Sequence, residues 1–420
     1  MLLYLPSCQQ ANKDAGATSK KDSTSIIELP KPLPIAKAEA DRLHNACEQW
    51  FDSALLYRGF NGGMLVAKNG NIVFEKYAGT GHLPGTDFIT AETPLQIAST
   101  SKTFTAMAVL KLWQDGKLNI DDELNKYIKN FNYPGVTIRS LLTHRSGLPN
   151  YLYFMDNLGW DKTKNATNAD VLNYLVTKKA QLEDISTPNT HFTYCNTNYA
   201  LLALLVEQVT GKKFPEYLQQ TFFGPLQMKH SFVFNPLDSI KVDLSYDRSG
   251  HLNPLNSLDG VYGDKNVYTT PQDLLIWDRA LRSDKIFKPE TLTQAYAPYS
   301  NEKPGVRNYG LGWRMNIYPD GKKMIYHNGW WHGNRAVFIR LLKEDATIII
   351  ISNKDNSSIY KAKILCNLFG DYYGGDEEDD NESSRSTDVL SPLQPNQPVI
   401  KEVKISKKNE KLQQLFKDKN

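Results

Sequence analysis

Apolar residues recur with a helical period over residues 36–56, where Ala40, Leu43, Cys47, Trp50 and Phe51 share one face. The pattern then switches. Residues 63–78 predict two strands joined at Asn69-Gly70, the dipeptide most favourable to a tight hairpin turn. Residues 103–113 are apolar almost all round (Phe104, Ala106, Met107, Ala108, Val109, Leu110, Leu112), so this helix should run through the interior. From about Asn119 to Asn256 helices and loops are expected, the strongest helices being 137–143, 169–182 and 198–209, the last closed by Gly211. Strand character returns at 323–326, 336–342 and 346–352, and a final helix is predicted over 357–369. No internal repeat is visible. This order predicts a mixed lobe of helices and strands made from both chain ends, with an all-helical lobe inserted. The cleft between two such lobes is where a ligand site is expected.

Both ends differ from this middle. Residues 1–8 are a short apolar stub ending in Ser7-Cys8, followed by a polar run rich in Lys, Ser, Thr, Ala and Asp. The stub resembles the tail of a bacterial lipoprotein signal, in which the cysteine becomes the N-terminus and carries lipid. The basic n-region and most of the apolar h-region are missing. Cys8 is therefore the expected lipidation point and residues 9–35 a tether; the alternative is an N-terminus with an incidental cysteine. At the other end, residues 374–387 are acidic and serine-rich, too poor in apolar side chains to offset their ordering entropy. The expected organisation is a leader and tether over 1–33, a folded body over 34–373, and a disordered acidic linker and basic tail over 374–420.

Composition removes several function classes. The chain has 420 residues, 40% of them hydrophobic and 23% charged, which fits a globular protein. No run approaches the ~18 to 20 apolar residues of a spanning helix. Lysine and arginine outnumber aspartate and glutamate by 49 to 46, so no electrostatic drive toward nucleic acid or an anionic membrane exists. Membrane contact is expected through a lipid at Cys8 alone. Four cysteines cannot form a disulfide scaffold, and they show no C-x-x-C spacing.

The G-x-S-x-G, H-E-x-x-H and phosphate-loop motifs are absent. Ser99-Thr-Ser-Lys102 remains. At i and i+3 on a helix both side chains leave one face, and a neutral lysine there can take the serine proton. If Ser99 opens the helix, its own N–H is a free donor for an oxyanion. The motif alone is weak, since about two matches arise by chance in such a length; Ser300–Lys303 and Ser358–Lys361 are read as accidents. A helix cap with a snorkelling lysine is the plain alternative. Tyr194-Cys-Asn196 before an apolar helix adds a phenol suited to proton transfer and an amide suited to a carbonyl or a lysine. His327-Asn-Gly329-Trp330 follows a predicted strand, and the Trp330 N–H is a second oxyanion donor.

S-x-x-K, Y-x-N and H-x-G in this order resemble the serine β-lactamase/DD-peptidase superfamily, specifically its class C-like branch. So do residues 136–149 (Val-Thr-Ile-Arg-Ser-Leu-Leu-Thr-His-Arg-Ser-Gly-Leu-Pro), 116–122, 224–228, 268–274 and 309–313. The resemblance covers about residues 55–355. It implies an α+β fold of β-lactamase/transpeptidase type: an antiparallel sheet flanked by N- and C-terminal helices, with the helical lobe inserted. It implies a serine hydrolase working through an acyl-enzyme on an amide or ester, without cofactor or metal. Ser99 is then the nucleophile and Lys102 its proton acceptor or a source of field, the choice of base between Lys102 and Tyr194 staying open. Tyr194 resembles the general base, Asn196 orients the substrate amide and Lys102, and Gly329 lets the strand approach the substrate. The N–H groups of Ser99 and Trp330 form the oxyanion hole.

One position departs from the branch. His327 stands where β-lactamases and carboxypeptidases carry lysine, and histidine meets a substrate carboxylate as a cation only below about pH 6.5. A peptidase or esterase is therefore expected ahead of a true β-lactamase or D-alanyl-D-alanine carboxypeptidase. Trp330 and Trp331 should narrow the pocket. A non-hydrolytic sensor would have lost one of Ser99, Lys102, Tyr194 or Asn196, and all four are present. The expected setting is the cell envelope, periplasmic or lipid-anchored, with a monomer acting on a small-molecule or peptide substrate.

Overall fold

The structure, a computed structural model, describes residues 25–83, 85–236, 242–302 and 305–372. Cys8 and the 374–420 tail lie outside the described residues. The N-terminal helix α1 (Lys37–Ala54) leads into the hairpin β1 (Gly62–Lys68) and β2 (Asn71–Ala78), with Asn69 and Gly70 both at positive φ as a tight turn demands. The short β3 (Leu95–Gln96) precedes the long α2 (Ser101–Gln114). The middle of the chain forms α3 (Ile138–Leu142), α4 (Tyr151–Asn157), α5 (Asn168–Thr177), α6 (Asn196–Thr210) and α7 (Phe214–Leu218). Small strands follow: β4 (Phe232–Val233), β5 (Ser245–Tyr246), β6 (Leu252–Asn253) and β7 (Val267–Thr269). The chain closes with α8 (Pro271–Arg282), α9 (Pro289–Ala295), β8 (Arg307–Tyr309), β9 (Arg314–Ile317), β10 (Lys323–Trp331), β11 (Asn334–Leu341), β12 (Ala346–Ser352) and a 3₁₀ run over Ser357–Leu368.

Seven strands form one antiparallel sheet in the order β2-β1-β12-β11-β10-β9-β8, so its two halves come from opposite ends of the chain. Both faces are covered. Met64, Val66, Ile348 and Ile350 pack with α1 and the C-terminal 3₁₀ run, while Leu65, Ala67, Ile349 and Ile351 pack with α2, α8 and the helical middle. Two-sided burial explains why β12 reads as an unbroken apolar run rather than an alternating one.

The helices follow their local chemistry. Thr167 and Asp170 form a capping box at the start of α5, and Gly211 at φ 69° ends α6. From Ser101 to Leu112 every residue of α2 except Lys111 is buried. Four expectations need correction. The 169–182 helix stops at Thr177 and continues as a 3₁₀ turn, and the helical middle also contains the β5–β6 hairpin. The last helix is 3₁₀ in type. Residues 25–35, expected as tether, lie against the body, because Ile27 and Leu29 pack on the core beneath. Ile27 N–H donates to Pro225 O (2.8 Å), Leu33 N–H to Asn69 O (3.0 Å), and the Arg279 guanidinium to Pro30 O (2.7 Å).

Candidate active site

Ser99 sits in a single 3₁₀ turn, Ala98–Thr100, that runs into α2. The turn is pinned from behind. Ile97 N–H donates to Val267 O (3.0 Å), and the Ser101 hydroxyl accepts from Val267 N–H (3.0 Å). Ala98 has φ 46°, a strained conformation for a residue with a Cβ, immediately before the serine. Gly329 explains the other wall. A Cβ there would lie 2.1 Å from the Ile97 carbonyl oxygen, so β10 could not pass this close with any larger residue.

The helical spacing brings Lys102 to Ser99: Nζ donates to Ser99 Oγ at 3.0 Å and to the Asp264 backbone carbonyl at 2.8 Å. Lys102 is fully buried and Ser99 half-buried. Its ammonium also lies 5.0 Å from the centre of the Tyr194 ring and 5.7 Å from that of Tyr199. Asn196 is the first residue of α6 and lines the same cleft as Ser99 and Tyr194. It was expected to hold Lys102 as well, but the lysine spends its bonds on Ser99 and the Asp264 carbonyl.

The H-x-G segment was placed after a strand and lies within one. β10 continues to Trp331 because β11 pairs with it along its length, Trp331↔Asn334 being the last pair before the His332-Gly333 turn. His327 is fully buried and its ring does not reach the cleft. Its Nδ1 donates to Asn328 O (2.7 Å), and its Nε2 accepts from the Tyr309 hydroxyl (3.2 Å). Burial, with Arg314 and Lys102 nearby, pushes its pKa well below 6.5. This works against the expectation that His327 gains a proton to meet a substrate carboxylate. Burial pushes the Tyr309 phenol up, which keeps it a donor to that imidazole. The two tryptophans leave opposite faces of β10. Trp331 gives its Nε1–H to Asp259 (2.6 Å), whereas the Trp330 ring lies under the Arg335 guanidinium (4.1 Å).

Three cleft residues had no motif to announce them. Arg314, at the start of β9, faces Tyr194 with its guanidinium 5.1 Å from the ring centre. Asp264 and Lys265 come from the loop before β7. Lys265 is buried, donates to the Tyr151 hydroxyl and to Val261 O (3.0 Å), and lies 4.8 Å from the Trp331 ring. Burial pulls it below the usual lysine range, against the pull of Asp264 and Asp259. The loop is held by a chain of buried amides: Asn334 donates to Gln96 (2.9 Å), Gln96 to Asn266 (3.1 Å), and Asn266 to the Asp259 carbonyl. Asn266 has φ 77°, which its short amide tolerates.

A serine and a buried lysine one helical turn apart, in a cleft where a helical lobe meets an antiparallel sheet, define a serine hydrolase that works through an acyl-enzyme. A sequence profile of the Beta-lactamase family matches residues 53–363, and the chain belongs to that family. It is similar to penicillin-binding protein 4* of Bacillus subtilis (strain 168), 29% identical over 79% of this chain and 77% of that protein. The fold is that of a penicillin-binding protein from Bacillus halodurans (TM-score 0.67, 23% identity, 76% of this chain and 99% of the other). It is equally that of a class C β-lactamase (TM-score 0.65, 19% identity, 82% of this chain and all of the other).

Proposed function

We propose that Ser99 is the nucleophile of this hydrolase and that Lys102 and Tyr194 share its proton. The observation that carries the reading is the 3.0 Å contact of Lys102 Nζ with Ser99 Oγ, made by a fully buried lysine. As Oγ bonds to the substrate carbonyl carbon, its proton passes to the Lys102–Tyr194 pair. The oxyanion is met by the N–H of Ser99, at the start of a helical run, and the N–H of Trp330. Ladder alternation supports the second donor. With Trp331↔Asn334 closing a two-residue turn, the next pair, Trp330↔Arg335, is non-bonded, so the Trp330 N–H faces away from β11. The C–N or C–O bond then breaks and the leaving group takes the proton. A water, deprotonated by the same pair, releases the acyl group. Asn196 orients the substrate carbonyl side.

The substrate is an amide or ester, and Arg314 favours one with a free carboxylate beside the scissile bond. It gives the cleft a permanent cation that the neutral His327 does not. That brings carboxypeptidase and β-lactamase chemistry level with plain esterase chemistry, as second readings of the same site. We place the protein at the cell envelope, held by lipid on Cys8.

Intact-mass measurement after exposure to a fluorophosphonate, a penicillin and a nitrophenyl ester tests the reading. One adduct should form, mapping to the peptide with Ser99, and Ser99→Ala should form none while remaining folded. An adduct on another serine would refute the assignment.

A further inference from the structure

His144 lies in the Thr-His-Arg-Ser-Gly-Leu-Pro stretch that helped to identify the family, and no chemistry has yet been given to it. It is fully enclosed and has φ 55°, a backbone state that glycine would take without strain. A side chain kept at such a position needs a reason. The second of two hydrogen bonds supplies one, since it is made by the ring, while the first is made by the backbone. Thr193 N–H donates to the His144 carbonyl (2.9 Å), and Cys195 N–H donates to His144 Nδ1 (3.1 Å). These are the residues on either side of Tyr194. The imidazole itself packs on the Tyr194 ring, centroid to centroid 4.3 Å.

We propose that His144 is a positioning residue for Tyr194, clamping the chain before and after it so that the phenol stays fixed against Lys102 and Ser99. This rests on the reading of Tyr194 as part of the proton-transfer pair. Because Nδ1 accepts, the ring proton belongs on Nε2. That atom has no hydrogen-bond partner among the described residues, and the imidazole as a whole packs between the rings of Tyr199 and Tyr309, centroid to centroid 5.0 and 4.9 Å. A buried N–H left unmet is a cost, and the fixed Nδ1 acceptor is what it secures. The clamp also requires a neutral ring, since a second proton would occupy the lone pair that Cys195 uses. Burial, then Lys102, Arg314 and His327, hold the pKa well below 6.5. The remaining titratable neighbours are the phenols of Tyr194, Tyr199 and Tyr309.

The test compares His144→Phe, which keeps a ring and deletes the acceptor, with His144→Asn, whose Oδ1 stands near the place of Nδ1 and which tolerates positive φ. On a neutral nitrophenyl ester, His144→Phe should lose roughly 10- to 100-fold in kcat with KM little changed, as expected of a misplaced catalytic group. His144→Asn should recover most of that loss. In a Tyr194→Phe background, His144→Phe should cost at most about twofold more, because its partner is already gone. Should His144→Phe not fold, His144→Gln takes its place, with an acceptor one carbon too far. Wild-type kcat in the folded Phe or Gln variant, equal losses in the Asn variant, or full additivity with Tyr194→Phe would each overturn the proposal. Ser99→Ala in the same assay separates the two readings. If it still turns over, the site assignment fails; if it is silent while the His144 variants are normal, the clamp alone fails.

Discussion

Burial bears on the charge states around the cleft, two histidines among them. His144 and His327 are both enclosed, and burial, reinforced by Arg314 and Lys102, holds each well below 6.5. In the unfolded chain they titrate near 6.5, so below that pH the unfolded state binds two protons the folded state does not. Stability therefore falls as pH falls, by about 1.4 kcal/mol per pH unit for each histidine once well under 6.5. Denaturant melts at pH 7.5 and 5.5 should show the loss; equal midpoints would mean the rings can charge in place. Arg314 makes the opposite kind of contribution, a cation indifferent to pH. Arg314→Gln should reduce kcat/KM for carboxylate-bearing substrates relative to neutral esters by roughly 10- to 100-fold, the worth of one charge-assisted hydrogen bond. Its effect should be flat between pH 6 and 8. That Ser99, Lys102, Tyr194 and Asn196 would come together was legible because short spacings at or just before helix starts carry them into one cleft. Arg314 and Lys265 were not, because strand register and a loop deliver them from far along the chain. His327 was misjudged since a motif does not reveal whether its side chain is enclosed.

The same contrast holds for elements. The Asn69-Gly70 hairpin, the apolar α2 and the glycine-capped α6 could all be read from local pattern. β8 and β9, three and four residues long, carry no alternation and exist because β9 pairs with β10 and β8 in turn with β9. The contact of α8 with the sheet adds buried charge to its apolar packing, and the charged part is equally silent in sequence. Arg340, fully buried in β11, donates from Nε to Asp278 of α8 (2.5 Å) and from a terminal nitrogen to the Tyr296 hydroxyl. Arg282 reaches the other Asp278 oxygen (2.8 Å), and Thr347 of β12 also donates to it (2.6 Å). Burial alone would raise the Asp278 pKa, but Arg282 and Arg340 bring it below 3.8. Asp278→Asn would leave Arg340 enclosed without its counter-charge, a loss on the order of 3–5 kcal/mol. A thermal or urea unfolding curve measures it, and a change under 1 kcal/mol would show the pair to be as weak as a surface one.

At the scale of the molecule, residues 25–35 fasten three regions at once: the β1–β2 turn, α8 and the turn after α7. Deleting residues 1–35 should lower stability by on the order of 1–3 kcal/mol, from lost apolar cover and a few hydrogen bonds. kcat on a neutral ester should hold, since none of residues 25–35, the described part of this segment, lines the cleft. A fall in kcat with stability unchanged would reverse that assignment. The sheet has a further consequence, in time rather than in space. β1 lies between β2 and β12, so its central pairing, Gly62↔Ser352 through Lys68↔Ala346, waits for the last strand to be made. Until then the hairpin is an isolated two-stranded unit, marginal in water, and the loop to be closed spans most of the chain. Closure of this sheet on the ribosome therefore comes only after residues 346–352 have emerged.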